Sequence, residues 1–265
     1  MPNVKNRWLV YFKDVSNPAL RLFCFHYAGG SATFCSGWGK YLPDNAALIS
    51  VQLPGRGDRL FEPGIGDMGT LIEKLIPAIK DCLDVPFAFF GHSMGGAIAY
   101  ELACELQRRG LQQPVIFFPS GRQAPPFPET VPPIHHLPEA EFCTTFLQRH
   151  GTPQLEAIFA SQDMRELFVP QLRADMQLSE TYSFDAATAR KLCCPVVALD
   201  GTEGADLIEE HELIAWGEYT TGPFRIQRFP GGHFFIDTAQ ESVMAFLKKE
   251  LAPFTQHTRR LQSAP

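Results

Sequence analysis

Residues 88–97 read AFFGHSMGGA, and this stretch decides how the chain is read. An apolar run of strand length ends in Gly91. His92, Ser93 and Met94 follow, then Gly95, Gly96 and a helical pattern in which Ile98, Leu102 and Leu106 share one stripe. Arg108, Arg109 and Gly110 close that pattern, with cations in the last turn and a glycine stop. Gly91-x-Ser93-x-Gly95 between a strand and a helix is the context of a nucleophile elbow. The sharp turn presents the serine hydroxyl beyond the strand end, and the flanking glycines let the backbone pass close to its neighbours. The helix N-terminus turns free N–H groups and a positive dipole end towards developing negative charge. Ser93 is therefore predicted to be a nucleophile, and the Met94 N–H an oxyanion donor. A chance tight turn is the alternative, so the choice rests on partners elsewhere in the chain.

Outward from the elbow, apolar runs of strand length recur: WLVYF (8–12), LFCFHY (22–27), ALISVQL (47–53), VIFFP (115–119), VVALD (196–200) and FRIQRF (224–229). Several are apolar throughout, as strands covered on both faces should be. Helical patterns lie between them. Met68, Leu71, Leu75, Ile79 and Leu83 are spaced by three and four, with Asp67 as N-cap and Pro77 as a kink. A last helix covers about 238–251. The alternation predicts an α/β fold, a mainly parallel sheet with helices on both faces. Residues 123–190 break the pattern with a proline-rich entry and helical pieces, read as a helical insertion over the sheet. The tail, 252–265, reads as frayed, and the whole of 1–265 as a single domain.

Composition narrows the function classes. The 265 residues are 45% hydrophobic and 20% charged, with net charge −6 and no Lys/Arg run, which argues against nucleic acid as a partner. No apolar run approaches the roughly 20 residues of a membrane span, and the N-terminus has no signal-peptide pattern. Seven scattered cysteines without metal-ligand spacing read as reduced thiols, hence a cytoplasmic protein without metal.

A serine nucleophile at such an elbow needs an acid and then a histidine further along the chain. His233, in FPGGHFF after the last strand, stands where the base is expected, on a loop freed by Gly231 and Gly232. His92, His135, His136, His211 and His257 are poorer candidates by position. The acid should follow VVALD, where Asp200, Glu203 and Asp206 compete. Asp206 is preferred because it lies farthest from the strand end, ahead of Asp200, and it could also cap the helix before Trp216. A second oxyanion donor is expected in the loop after LFCFHY, with the Ala28 N–H first and Tyr27 the alternate. That loop carries Gly29-Gly30 but no G-x-G-x-x-G, so it is not a dinucleotide loop.

Seven blocks in order, FHYAGGSA, LPGRGDR, FAFFGHSMGG, SGRQAPP, LRADMQLSETY, CPVVALDG and FPGGHFF, resemble the type II thioesterases. These are stand-alone α/β-hydrolases of polyketide, nonribosomal peptide and fatty acid synthesis. The resemblance spans about residues 22–251. It implies an α/β-hydrolase fold, Ser93 as nucleophile, His233 as base and the Ala28 and Met94 N–H groups as oxyanion hole. It also implies a lid at 123–190 and no cofactor. The implied activity is hydrolysis of acyl thioesters from the phosphopantetheine arm of an acyl or peptidyl carrier protein, in trans, by a monomer. One departure concerns the acid. The family reads Gly-x-x-Asp after this strand, whereas Gly201 is followed here by Thr202, Glu203 and Gly204, and the loop is one residue longer. Phe142, Phe146, Phe159, Phe168 and Leu172 are expected either to line an acyl channel or to pack the lid. Arg56, Arg59 and Arg122 are candidates for a basic rim facing an acidic carrier, with Arg56 alternatively bracing its loop. A carboxylesterase on oxygen esters and a non-catalytic binder on the same fold are the rival readings.

Overall fold

The computed structural model describes residues 6–128, 131–151, 153–187, 189–204 and 207–262. The seven apolar runs form one sheet: β1 (Leu9–Lys13), β2 (Leu20–Phe25), β3 (Ala46–Val51), β4 (Phe87–His92), β5 (Ile116–Ser120), β6 (Val196–Gly201) and β7 (Phe224–Phe229). The strand order is β1-β3-β2-β4-β5-β6-β7. Only β1 runs antiparallel to its neighbour. After β3 the chain crosses from one side of β2 to the other to form β4. The winding direction of the sheet therefore reverses between β2 and β4, and the C-terminal ends of strands at such a switch point are where α/β sheets bind ligands.

The apolar strands are covered on both faces. Phe23, Phe25, Phe87, Phe89 and Phe117 point to one layer, while Leu22, Cys24, Ala88, Phe90 and Phe118 point to the other. Side chains alternate across a strand, so one continuous apolar sequence supplies two cores. In the first layer the Phe23 and Phe89 rings meet edge to face at 5.9 Å, and Phe25 and Phe89 at 5.2 Å. Each buried ring stabilises the fold by roughly 2–3 kcal/mol through the area removed from water.

The first layer is closed by α1 (Met68–Ile79) and α2 (Met94–Arg108). Asp67 caps α1 as predicted, its carboxylate accepting from the Thr70 N–H at 2.8 Å. Pro77 stands in the last turn of α1. The helix ends two residues later and is followed by a 3-10 turn, Lys80–Cys82. Gly110, at φ 66°, stops the chain behind α2.

Between β5 and β6 lie α3 (Glu139–His150), α4 (Pro153–Ala160) and α5 (Gln162–Glu180). They share a small core of Ile134, Phe142, Phe146, Phe159, Leu172 and Met176. α5 shows no single apolar stripe in sequence because it is buried on two sides. Leu172 and Met176 face this small core, while Leu178 joins the core beneath the sheet. After β6 come α6 (Glu210–Ile214), α7 (Phe235–Thr238) and α8 (Gln240–Gln262), the last covering the second sheet face with Val243, Met244, Leu247 and Leu251. The helix does not end near 251 as the sequence reading had it. α8 runs on through Pro253 to Gln262, with Thr255 buried and its carbonyl accepting from the Asn45 side chain at 2.8 Å. No helix among the described residues is long and apolar enough to cross a membrane.

Candidate active site

Ser93 follows β4 directly and has φ 54° and ψ −120°, the one positive φ among the described non-glycine residues. A backbone held there carries strain of about 1–3 kcal/mol, and such strain concentrates at functional sites. The turn is pinned by the Ser93 N–H donating to the Ser120 carbonyl at 2.7 Å. The two motif glycines are steric necessities. A Cβ on Gly91 would lie 2.2 Å from the Gly95 carbonyl oxygen, and one on Gly95 would lie 2.2 Å from that of Phe25. The first turn of α2 is thus pressed against the end of β2. Met94 opens α2, so its N–H has no acceptor within the helix.

The loop leaving β2 is a tight turn. The Gly30 N–H donates to the Tyr27 carbonyl at 3.0 Å, and Gly29 has φ 75°. A positive φ at the third position is the mark of a type II turn, here centred on Ala28 and Gly29. Four buried side chains hold it. His26 Nδ1 donates to the Tyr27 carbonyl at 2.8 Å, and Gln52 accepts from the Ala32 N–H at 2.8 Å. Asp175 accepts from the Gly29 N–H at 2.8 Å, and Arg56 donates to the Gly30 carbonyl at 2.9 Å. Burial, helped by the Arg56 charge, pushes the His26 imidazole down to about 4, so the ring is neutral. Ala28 and Met94 belong to adjacent strand ends, since the added Cβ of Gly95 would also lie 2.8 Å from the His26 carbonyl.

His233 is half-buried after Gly231-Gly232, its ring centroid 4.9 Å from that of His92 and 5.2 Å from that of Phe234. It therefore lies beside the residue that precedes Ser93. His92 is fully buried, with Nδ1 2.8 Å from the Ser120 hydroxyl. Burial, then the neighbouring His233, holds it well below the ordinary imidazole range. Gly121, at φ 55°, lies against both rings; a Cβ there would sit 2.9 Å from His92 Cε1 and 3.1 Å from His233 Cε1. Ser120 and Gly121 were not singled out in the sequence reading. Their signal was a serine and a glycine at the C-terminal end of the strand beside β4.

Asp206 lies outside the described residues. The loop that leads to it is fastened to the histidine loop: the Thr202 and Glu203 N–H groups both donate to the Gly231 carbonyl, at 2.9 and 3.0 Å. Gly201 packs so closely on that loop that a Cβ would lie 2.3 Å from the same oxygen. Glu203 is exposed. Asp200 is buried at the end of β6, where its carboxylate faces Arg228 at 3.4 Å and accepts from the Gly201 and Ile208 backbone. Burial pushes it up to about 6 against those opposing contacts. The N-cap position of α6 is Glu209.

The expected basic rim is not made by the three arginines proposed for it. Arg56 is buried in a two-bonded pair with Asp175, both bonds 2.7 Å. Arg59 is buried over the Trp8 ring and bonded to Glu62 and the Gln52 carbonyl. Arg122 is buried near Ser179 and Tyr182. Arg56 takes the bracing role, joining its loop to Asp175 of α5. The aromatic residues of the insertion pack its own core, with Phe142 and Phe146 stacked at 6.1 Å. Phe168 and Leu172 lie nearest the site, at 3.6 and 3.0 Å from the position of a Cβ on Gly29. Asp175 was missed because nothing in the sequence pairs it with Arg56, 119 residues away. Among the described residues, no group of three or more His, Cys, Asp or Glu side chains is placed to hold a metal ion.

The chain matches the family described as thioesterase domain over residues 20–251. Linear gramicidin dehydrogenase LgrE of Brevibacillus parabrevis is 36% identical over 94% of this chain and 94% of its own length. Thioesterase PikA5 of Streptomyces venezuelae is 33% identical over 87% of this chain and 80% of its own. Among solved structures, the RedJ thioesterase from the prodiginine biosynthetic pathway in Streptomyces coelicolor is 35% identical, covers 90% of this chain and 88% of its own, and superposes with a TM-score of 0.79. One G-x-G-x-x-G does occur, at Gly64-Ile65-Gly66-Asp67-Met68-Gly69, but no strand leads into it, since β3 ends at Val51. Gly64 and Gly66 instead pack on Ala174 and Gln177 of α5. A dinucleotide loop requires the strand.

Proposed function

This chain belongs to the thioesterase family, and from that we propose a catalytic route through Ser93, His233 and the Ala28 and Met94 N–H groups. The enzyme is a type II thioesterase that hydrolyses acyl thioesters in polyketide or nonribosomal peptide synthesis, acting in trans to remove stalled units or release chains. Its substrate is the acyl group on the phosphopantetheine arm of an acyl or peptidyl carrier protein. The strained Ser93 backbone at the switch point of the sheet is the observation that carries this reading.

Ser93 Oγ attacks the thioester carbonyl while His233 takes its proton. The carbonyl oxygen gains negative charge and is met by the N–H groups of Ala28 and Met94, fixed before the reaction begins. The C–S bond breaks, and the pantetheine sulfur leaves with the proton returned by His233. Water, deprotonated by His233, then attacks the acyl-serine, and Ser93 regains its proton as the carboxylic acid departs. Asp206 orients the imidazole. Asp200 serves this role poorly, because Arg228 and two backbone N–H groups already occupy its carboxylate. The helices α3 to α5 form the lid of a single domain, and the acyl chain runs beneath α5 against Phe168 and Leu172. The enzyme works as a monomer in the cytoplasm, a reducing setting that suits its seven free cysteines.

Two variants and a label test the route. Ser93→Ala abolishes turnover with the fold intact, and an active-site phosphonate adds its mass to Ser93 of the wild type alone. Asp206→Asn loses far more turnover than Asp200→Asn. Substantial hydrolysis by Ser93→Ala, or a larger loss on changing Asp200, would overturn the assignment.

A further inference from the structure

The Asp175–Arg56 pair lies outside the route just given, yet it grips the oxyanion turn from both ends. Asp175 Oδ2 accepts from the Gly29 N–H at 2.8 Å and from Arg56 Nη1 at 2.7 Å, and Oδ1 accepts from Arg56 Nη2 at 2.7 Å. The same Nη1 donates to the Gly30 carbonyl at 2.9 Å. Acid and guanidinium together close a ring around the Gly29-Gly30 backbone, and both are buried, at 2% and 3% exposure.

The Gly29 N–H belongs to the central peptide of the turn, Ala28 to Gly29. Type I and type II turns differ by a flip of that peptide. Were it flipped, the Ala28 carbonyl would face the Asp175 carboxylate in place of an N–H donor. The buried charge therefore selects one orientation. Asp175 is carried by α5, whose Phe168, Leu172 and Asp175 recur at spacings of four and three on one face. Phe168 and Leu172 cover Gly29 from the same side. Gln171, on the same helix, packs on Gly55 of the Arg56 loop, its Cβ 3.0 Å from the place a Gly55 Cβ would take. One helix of the insertion is thus bonded to the turn whose Ala28 N–H serves the oxyanion.

We propose that Asp175 is a positioning residue through which the seating of α5 sets the oxyanion turn. Closing the lid over a substrate and completing the oxyanion hole are then one event. This rests on the roles given above to Ser93 and Ala28.

The test compares two ligands of the wild type and two variants. An acyl thioether analogue of the substrate cannot be attacked and reports ground-state binding. An acyl trifluoromethyl ketone adds the Ser93 hydroxyl and places a hemiketal oxyanion in the hole. In Asp175→Asn one amide oxygen still accepts from Gly29. The double variant Asp175→Leu/Arg56→Met replaces a buried pair by apolar groups, a change that preserves folding in other proteins, and leaves Gly29 without its acceptor. Loss of one oxyanion donor typically lowers kcat by about 10²–10³-fold, and misplacing one should fall short of that. The double variant is expected to bind the ketone about tenfold to a hundredfold more weakly and to lose kcat in proportion. Its Kd for the thioether should stay within about twofold, with Asp175→Asn intermediate. Equal weakening of both ligands, or unchanged ketone binding in a folded double variant, would overturn the proposal. A ketone that fails to inhibit the wild type would overturn the Ser93 reading itself, and the proposal with it.

Discussion

Gly121→Ala tests whether His233 is held in place by the backbone that follows β5. Two penalties are separable. The first is conformational: Gly121 has φ 55°, and an L-residue in that region costs about 1–2 kcal/mol. The second is contact: the new Cβ would lie 2.9 Å from His92 Cε1, 3.1 Å from His233 Cε1 and 3.3 Å from His233 Nδ1. Carbon atoms rest at about 3.5–4.0 Å, so the rings must withdraw by roughly 0.5 Å. His92 is fully buried and bonded to Ser120, whereas His233 is half-buried on a glycine loop, so His233 moves. A displacement of about 1 Å can lower a rate about 10²-fold, which suggests roughly tenfold here, or about 1.4 kcal/mol of transition-state stabilisation. Gly110→Ala is the control. Gly110 also has a positive φ, 66°, but an added Cβ meets nothing within 4 Å. Urea unfolding should show both variants destabilised by about 1–2 kcal/mol. Thioester hydrolysis should show kcat/KM lowered about tenfold in Gly121→Ala alone. Equal, undiminished turnover in both would refute the placement of His233 as the base.

Two further outcomes follow from the site. His26 is neutral in the fold down to about pH 4, whereas an exposed histidine binds a proton near 6.5. Between those values the unfolded chain binds more protons, so stability is complete above about 6.5 and falls as pH drops towards 4, by roughly 3 kcal/mol. His26→Asn, whose amide can still donate to Tyr27, should flatten that fall in urea midpoints read at pH 7 and 4.5; an unchanged slope would count against the buried neutral ring. The strain at Ser93 should be visible in a pair of inactive variants. Ser93→Gly relaxes φ 54° and is expected to melt higher than Ser93→Ala by the equivalent of about 1 kcal/mol, and a lower melting temperature would contradict the strain.

The sheet could be read in the sequence because burial on both faces leaves an unbroken apolar run such as FAFF, and the elbow because its glycines are dictated by backbone contacts. The expectation at His233 came from topology, since a base in this fold stands on the loop after the last strand, and the structure places that ring beside His92. Long-range pairing left no such trace. Arg56, Arg59 and Arg122 read as surface cations because charge alone does not report burial, and Arg56 and Arg122 find their side-chain partners on α5, more than 50 residues away. The extension of α8 was hidden by Pro253, which reads as a stop, although the buried Thr255 and its bond to Asn45 carry the helix past it. Gly121 stands in the block SGRQAPP, but its contact with two rings, one ending β4 and one on the loop after β7, is visible only in the fold.

Carrier-dependent thioester hydrolysis is measured most directly as kcat/KM for one acyl group presented three ways: on a holo carrier protein, on coenzyme A and as a nitrophenyl ester, with Ser93→Ala as the blank. A clear preference for the carrier-bound thioester and no turnover in the blank are expected. Equal or better hydrolysis of the free ester would contradict that preference and mark the enzyme as a general esterase.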